Sequence, residues 1–107
     1  MQKTTSGTKR KARGLTVTSV VFELPTEAEA VHLCGDFNDW SHTATPMSRD
    51  GDGIWRVKVD LEAGNSYRFR YLIDGKQWEN DWAADAYVEN PYGSEDSVVV
   101  VDTTPTP

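Results

Sequence analysis

The chain has 107 residues, 37% of them apolar and 26% charged, which fits one globular domain and leaves no room for an enzyme with a separate substrate domain. Its net charge of −6 hides an uneven split: five of the eleven basic residues (Lys3, Lys9, Arg10, Lys11 and Arg13) stand within the first thirteen positions. From Gly14 onward six basic side chains face all seventeen acidic ones, a net charge of −11, and a domain so acidic repels a phosphate backbone, which argues against nucleic acid as a partner.

Residues 1–14 are polar and basic without periodicity, and read as a flexible lead-in. They carry no apolar secretory segment, and nowhere does the chain approach the roughly 20 apolar residues of a membrane-spanning helix, so the expected address is cytoplasmic with no membrane partner. A first strand is expected from Leu15 to Leu24, ended by Pro25, and a second from Glu29 to Gly35, with Val31 and Leu33 on one face and His32 and Cys34 on the other. Between them Thr26–Ala30 has room for one helical turn at most. Cys34, the single cysteine, cannot form an internal disulfide and reads as a small strand residue.

After Gly35 the chain leaves strand patterning and delivers Trp40 from a polar loop, Asp36-Phe37-Asn38-Asp39. A ring at such a loop mouth either plugs the end of a sheet or offers its face to a ligand. The stretch to Gly53 has loop composition and closes on a turn, Asp50-Gly51-Asp52-Gly53. Trp55, Val57, Val59 and Leu61 then alternate with Arg56, Lys58 and Asp60 in a third strand. A fourth runs from Ser66 to Asp74, with Tyr67, Phe69, Tyr71 and Ile73 facing one way and Arg68, Arg70 and Leu72 the other. Asp74-Gly75 makes a tight turn and Lys76-Gln77-Trp78 starts back; residues 79–96 read as a long irregular segment. The last strand, Ser97 to Asp102, holds four consecutive valines, as a strand covered on both faces does. Thr103–Pro107 has the composition of a linker.

Short strands at regular spacing with hairpin turns predict an all-β, antiparallel sandwich occupying residues 15–102. Its core explains Phe22, Trp55, Tyr67, Phe69 and Tyr71. Trp40, Trp78, Trp82, Tyr87 and Tyr92 are surplus, for all five stand in or beside polar turns. Rings among amides, carboxylates and an arginine suit a carbohydrate, whose C–H face lies on an aromatic ring while its hydroxyls meet polar side chains. Catalysis has less support: no carboxyl pair is marked, and neither His32 nor His42 has a nucleophile at recognisable spacing. Asp50-Gly51-Asp52-Gly53 only begins like a calcium loop, with Leu61 where the twelfth-position Glu would stand. No cofactor, metal or enzymatic activity is expected.

Several runs taken in order resemble one family. Val31-His32-Leu33-Cys34-Gly35-Asp36-Phe37-Asn38-Asp39-Trp40, Gly53-Ile54-Trp55, Tyr67 to Gly75, Trp78-Glu79-Asn80-Asp81 and Asn90 to Val99 are similar to the glycogen-binding, isoamylase N-terminal-like modules, carbohydrate-binding module family 48. The resemblance implies an early-set immunoglobulin-like sandwich that binds α-1,4-linked glucan (glycogen, starch or maltodextrin) without catalysis. It also implies the site: stacking rings at Trp40 and Trp78, a basic donor at Arg70, a large residue beside the chain at Tyr92, and polar residues at Ser94 and Asp96. Three departures stand out: Asp96 where Asn is usual, Arg70 where Lys is commoner, and Lys76 and Trp82 altering the turn around Trp78. The alternative is an early-set scaffold domain that packs against a glycoside-hydrolase domain or a regulatory partner and has little sugar affinity. The state of the two rings discriminates: exposed and roughly coplanar for binding, buried for a plug.

Overall fold

The computed structural model describes residues 16–102, so the expected tails 1–14 and 103–107, and Leu15, lie outside the described residues. Among the described residues eight strands form two antiparallel sheets: β1 (Val17–Pro25), β2 (Val31–Gly35), β3 (Ser48–Arg49), β4 (Ile54–Glu62), β5 (Asn65–Ile73), β6 (Gln77–Glu79), β7 (Ala86–Glu89) and β8 (Glu95–Val101). One sheet has the order β1-β4-β3; the other has β2-β5-β8-β7, with β6 also on β5. This is the expected all-β sandwich.

The inward faces follow the alternation of the sequence. Phe22 and Leu24 of β1, Trp55 and Leu61 of β4, and Phe69, Tyr71 and Ile73 of β5 are buried together with Val31, Leu33, Met47 and Val101. The Phe69 ring meets Phe22 edge-on at 4.9 Å and Tyr71 at 5.7 Å between centroids, the tilted geometry that ring quadrupoles favour. Two buried polar handles are satisfied: Tyr71 donates to Asp81 Oδ2 at 2.6 Å, and Trp55 Nε1 donates to the Thr26 carbonyl at 3.2 Å.

Several boundaries differ from expectation, each for a local reason. β2 starts at Val31 rather than Glu29, because the Glu29 and Ala30 N–H groups donate instead to Asp74 Oδ1 at 2.9 and 3.0 Å. That carboxylate ties the β5–β6 turn to the β1–β2 connection, which is irregular and forms no helical turn. Pro25 is the last paired residue of β1, opposite Ile54; a ring without an N–H is tolerated at the end of an edge strand. β3 interrupts the expected loop before Gly53, and β7 interrupts the segment expected to be irregular, pairing Ala86–Glu89 with Val98–Glu95. β8 begins at Glu95, two residues early, and its valines are covered on both faces only in part: Val98 and Val101 are buried but Val100 is 47% exposed.

The Asp50–Gly53 turn is closed by Arg56, which reaches Glu23 Oε2 at 2.7 Å, Asp50 Oδ2 at 2.9 Å and Asp52 Oδ2 at 3.0 Å. Those carboxylates face a guanidinium, as a hairpin turn and not a cation loop requires. Among the described residues no helix is long and apolar enough to cross a membrane.

Candidate functional site

The outward face of the β2-β5-β8-β7 sheet carries the candidate site. β5 places Arg68 and Arg70 two residues apart on that face, opposite Val98 and Cys34 respectively. Three connections wall it: the segment after β2, the β5–β6 hairpin that starts Trp78 back across Leu72, and the β7–β8 turn. The result is a cleft of about 560 Å³ lined by Asp36, Trp40, His42, Arg68, Arg70, Trp78, Asn90, Pro91, Tyr92 and Asp96.

The chain leaves β2 at Gly35 under tight steric control. A Cβ there would stand 2.5 Å from the Arg68 carbonyl oxygen, so only glycine lets the turn lie against β5. Asn38 then fastens the turn, accepting from Gly35 N–H at 3.0 Å and donating to the Leu33 carbonyl at 2.9 Å and Thr45 Oγ1 at 2.8 Å. Asp39 and Trp40 follow with φ of 57° and 58°. Two consecutive non-glycine residues in the left-handed region are strained, and such strain persists only where surrounding bonds impose it. Here they do: the Trp40 N–H donates to the Gly35 carbonyl at 2.9 Å, and Trp40 Nε1 donates to Asp36 Oδ1 at 3.0 Å. The second oxygen of Asp36 accepts the Arg68 backbone N–H at 2.9 Å. One carboxylate thus binds the Trp40 ring to strand β5.

The Trp40 ring is half-buried and Trp78 is 38% exposed, with centroids 6.5 Å apart and planes inclined at 63°. Neither ring is a buried plug, and the two are not coplanar. His42 stands edge-on to Trp78 at 5.4 Å. Tyr92, on the opposite wall, is 90% exposed, and its loop is held by Asn90 Oδ1, which accepts from the N–H groups of Tyr92 and Ser94.

Beneath the rings lies an ionic floor. Asp96 is buried, yet Arg70 Nε stands 3.1 Å from its Oδ1, Asn90 Nδ2 donates to the same oxygen at 3.1 Å, and Arg68 Nη1 is 3.9 Å from Oδ2. Arg70 also donates to the Glu95 carbonyl, from Nε at 3.0 Å and Nη2 at 2.5 Å, and from Nη2 to Ser94 Oγ at 2.7 Å. Of the six residues singled out in the sequence, Trp40, Arg70, Trp78, Tyr92 and Asp96 line the cleft, whereas Ser94 stands behind it as an acceptor for Arg70. Trp82, 76% exposed, and Tyr87, which donates to the Asp81 carbonyl, do not line it. Sequence reasoning passed over Asp36, His42, Arg68 and Asn90. Arg68 had a usable signal, since it shares the outward face with Arg70 at the period of two.

Residues 9–88 match the family described as carbohydrate-binding module 48 (isoamylase N-terminal domain). The chain belongs to this family. Its module is non-catalytic, and the matched span carries Trp40, Arg70 and Trp78 but stops short of the Asn90–Asp96 wall. Among curated relatives, the chain is 39% identical over 56 residues to the 1,4-alpha-glucan branching enzyme GlgB of Aquifex aeolicus, covering 50% of this chain and 9% of that protein. It is 31% identical over 85 residues to the signal transduction protein MDG1 of Saccharomyces cerevisiae, covering 73% of this chain and 23% of that protein. The GlgB of Photobacterium profundum is 44% identical over 43 residues, 39% of this chain and 6% of that enzyme. The module therefore spans under a quarter of the length of these relatives.

Proposed function

We propose that the domain binds α-1,4-linked glucan, such as glycogen, starch or maltodextrin, through aromatic stacking and hydrogen bonds and without catalysis. The observation that carries this reading is the pair of part-exposed rings, Trp40 and Trp78, that line one polar cleft; they are not the buried plug, but at 63° they miss the coplanarity expected of a binding pair. Tyr92 supplies a third apolar surface, and Arg68 supplies donors. Family membership and the branching-enzyme relatives support the same substrate class. The binding unit in this reading is residues 15–102, flanked by the tails 1–14 and 103–107, in a cytoplasmic protein.

Titrating maltoheptaose while recording amide shifts tests it. Saturable shifts around Trp40 and Trp78 are expected, with affinity falling at least about tenfold in Trp40→Ala. No saturable shift in the wild-type chain refutes the reading. The small share of each branching enzyme that the module covers favours a second role, packing against a glycoside-hydrolase domain or other partner. That role alone predicts rings that no glucan perturbs.

A further inference from the structure

The donor that the family resemblance points to is mostly spent within the protein. Arg70 spends Nε and both hydrogens of Nη2 on Asp96, the Glu95 carbonyl and Ser94, and its side chain is only 15% exposed. Its Nη1 has no partner among the described residues, but the guanidinium cannot swing towards a ligand without breaking those bonds and uncovering the Asp96 charge. Removing a partner from a buried carboxylate is expensive.

Arg68 is the reverse case. Its backbone is fixed, paired with Val98 and donating to Asp36, while its side chain is 46% exposed. Its one ionic contact among the described residues, 3.9 Å from Asp96 Oδ2, is too long for a hydrogen bond. A guanidinium carries five N–H donors in a rigid planar fork. Asp36 holds the Trp40 indole on one oxygen and the Arg68 backbone on the other, and both Trp40 and Arg68 line the cleft.

The charges of the cleft bear on the ligand class. Arg68 and Arg70 are matched by Asp36 and Asp96, so the lining is balanced and sits in an acidic domain. That balance suits an uncharged polyol and disfavours a phosphate ester.

We propose that Arg68, not Arg70, is the principal cation that donates to the uncharged glucan of the reading above, and that Arg70 is a positioning residue which holds Asp96 and the Ser94–Glu95 turn in place. The proposal rests on the glucan reading given above.

The experiment titrates maltoheptaose into wild type, Arg68→Gln, Arg68→Lys and Arg70→Gln, with amide spectra of each free protein recorded first. In Arg68→Gln the free spectrum should keep the Asn90–Asp96 amides in place while the Kd rises about tenfold, with partial recovery in Arg68→Lys. In Arg70→Gln those same amides should already be displaced before any sugar is added. The wild-type Kd should be unchanged between 50 and 500 mM salt, since an uncharged ligand releases no counterions. An unchanged Kd in Arg68→Gln, or a Kd loss in Arg70→Gln with the Asn90–Asp96 amides unmoved, overturns the assignment while leaving glucan binding intact. An affinity that falls steeply with salt overturns the uncharged ligand. Absence of binding in wild type removes both this proposal and the glucan reading.

Discussion

Asp36→Asn is the smallest change that interrogates the join between ring and sheet. The carboxylate accepts two N–H groups, Trp40 Nε1 at 3.0 Å and the Arg68 backbone at 2.9 Å, one on each oxygen. An asparagine has the same shape but one acceptor; turned either way, its NH2 faces one of the two donors. A hydrogen bond to a charged acceptor contributes about 1.5–3 kcal/mol when shielded, and Asp36 is exposed, so the expected loss is about 1 kcal/mol. For a domain of this size that lowers Tm by roughly 4–8 °C. The freed indole, held in a strained backbone, should also lose its orientation and raise the maltoheptaose Kd about three- to tenfold. Thermal unfolding followed by circular dichroism gives the first number and a fluorescence titration the second. A Tm within about 1 °C of wild type together with an unchanged Kd would refute the reasoning, because Trp40 would then be placed by packing alone.

Cys34 is buried on β2, and burial pushes its thiol up to about 11, so it should stay unlabelled by a thiol reagent at pH 8 until denaturant unfolds the chain. Gly35→Ala puts a Cβ against the Arg68 carbonyl and should destabilise the fold by about 1–3 kcal/mol in urea while shifting the Trp40 amide. The Asp52 carboxyl is held below its ordinary range, chiefly by the hydrogen bond from Arg56 and then by the Ile54 N–H. The unfolded chain therefore takes up that proton at higher pH than the folded one; the contribution is present at neutral pH and fades as the pH falls below about 4. Arg56→Gln should accordingly flatten the acid limb of urea midpoint against pH, and an unaltered limb would contradict it.

How far the fold was legible follows from where the burial signal lies. β4 and β5 each carry four alternating inward residues, Trp55 to Leu61 and Tyr67 to Ile73, enough to define a period. β3 is two residues long and β7 four; both exist because β4 and β8 offer them hydrogen-bonding edges, a tertiary fact with no local trace. In the site, Trp40 and Trp78 stand out because large rings are rare in polar turns. The depth of Asp96 does not, since an Asp beside Ser94 and Glu95 looks like turn chemistry until Arg70 is seen folded over it. For the same reason the division of labour between Arg68 and Arg70 was out of reach. Alternation puts both outward, and only the position of the β7–β8 turn decides which is covered.

Arg70 and Asp96, where the family resemblance implies Lys and Asn, can be read together as one change. A lysine at 70 could not reach Asp96, the Glu95 carbonyl and Ser94 at once, because its donors radiate from a single atom instead of a planar fork. An asparagine at 96 would leave a part-buried guanidinium without its countercharge. Each single substitution, Arg70→Lys and Asp96→Asn, should then cost about 1–2 kcal/mol in urea unfolding, through a buried ion left short of partners. The double variant restores a compact cation beside a neutral amide and should be less unstable than the sum of the two, with a coupling of about 1 kcal/mol. Additivity within about 0.3 kcal/mol would mean that the residues respond to separate surroundings. The cleft floor would then be a coincidence of neighbours rather than a paired replacement.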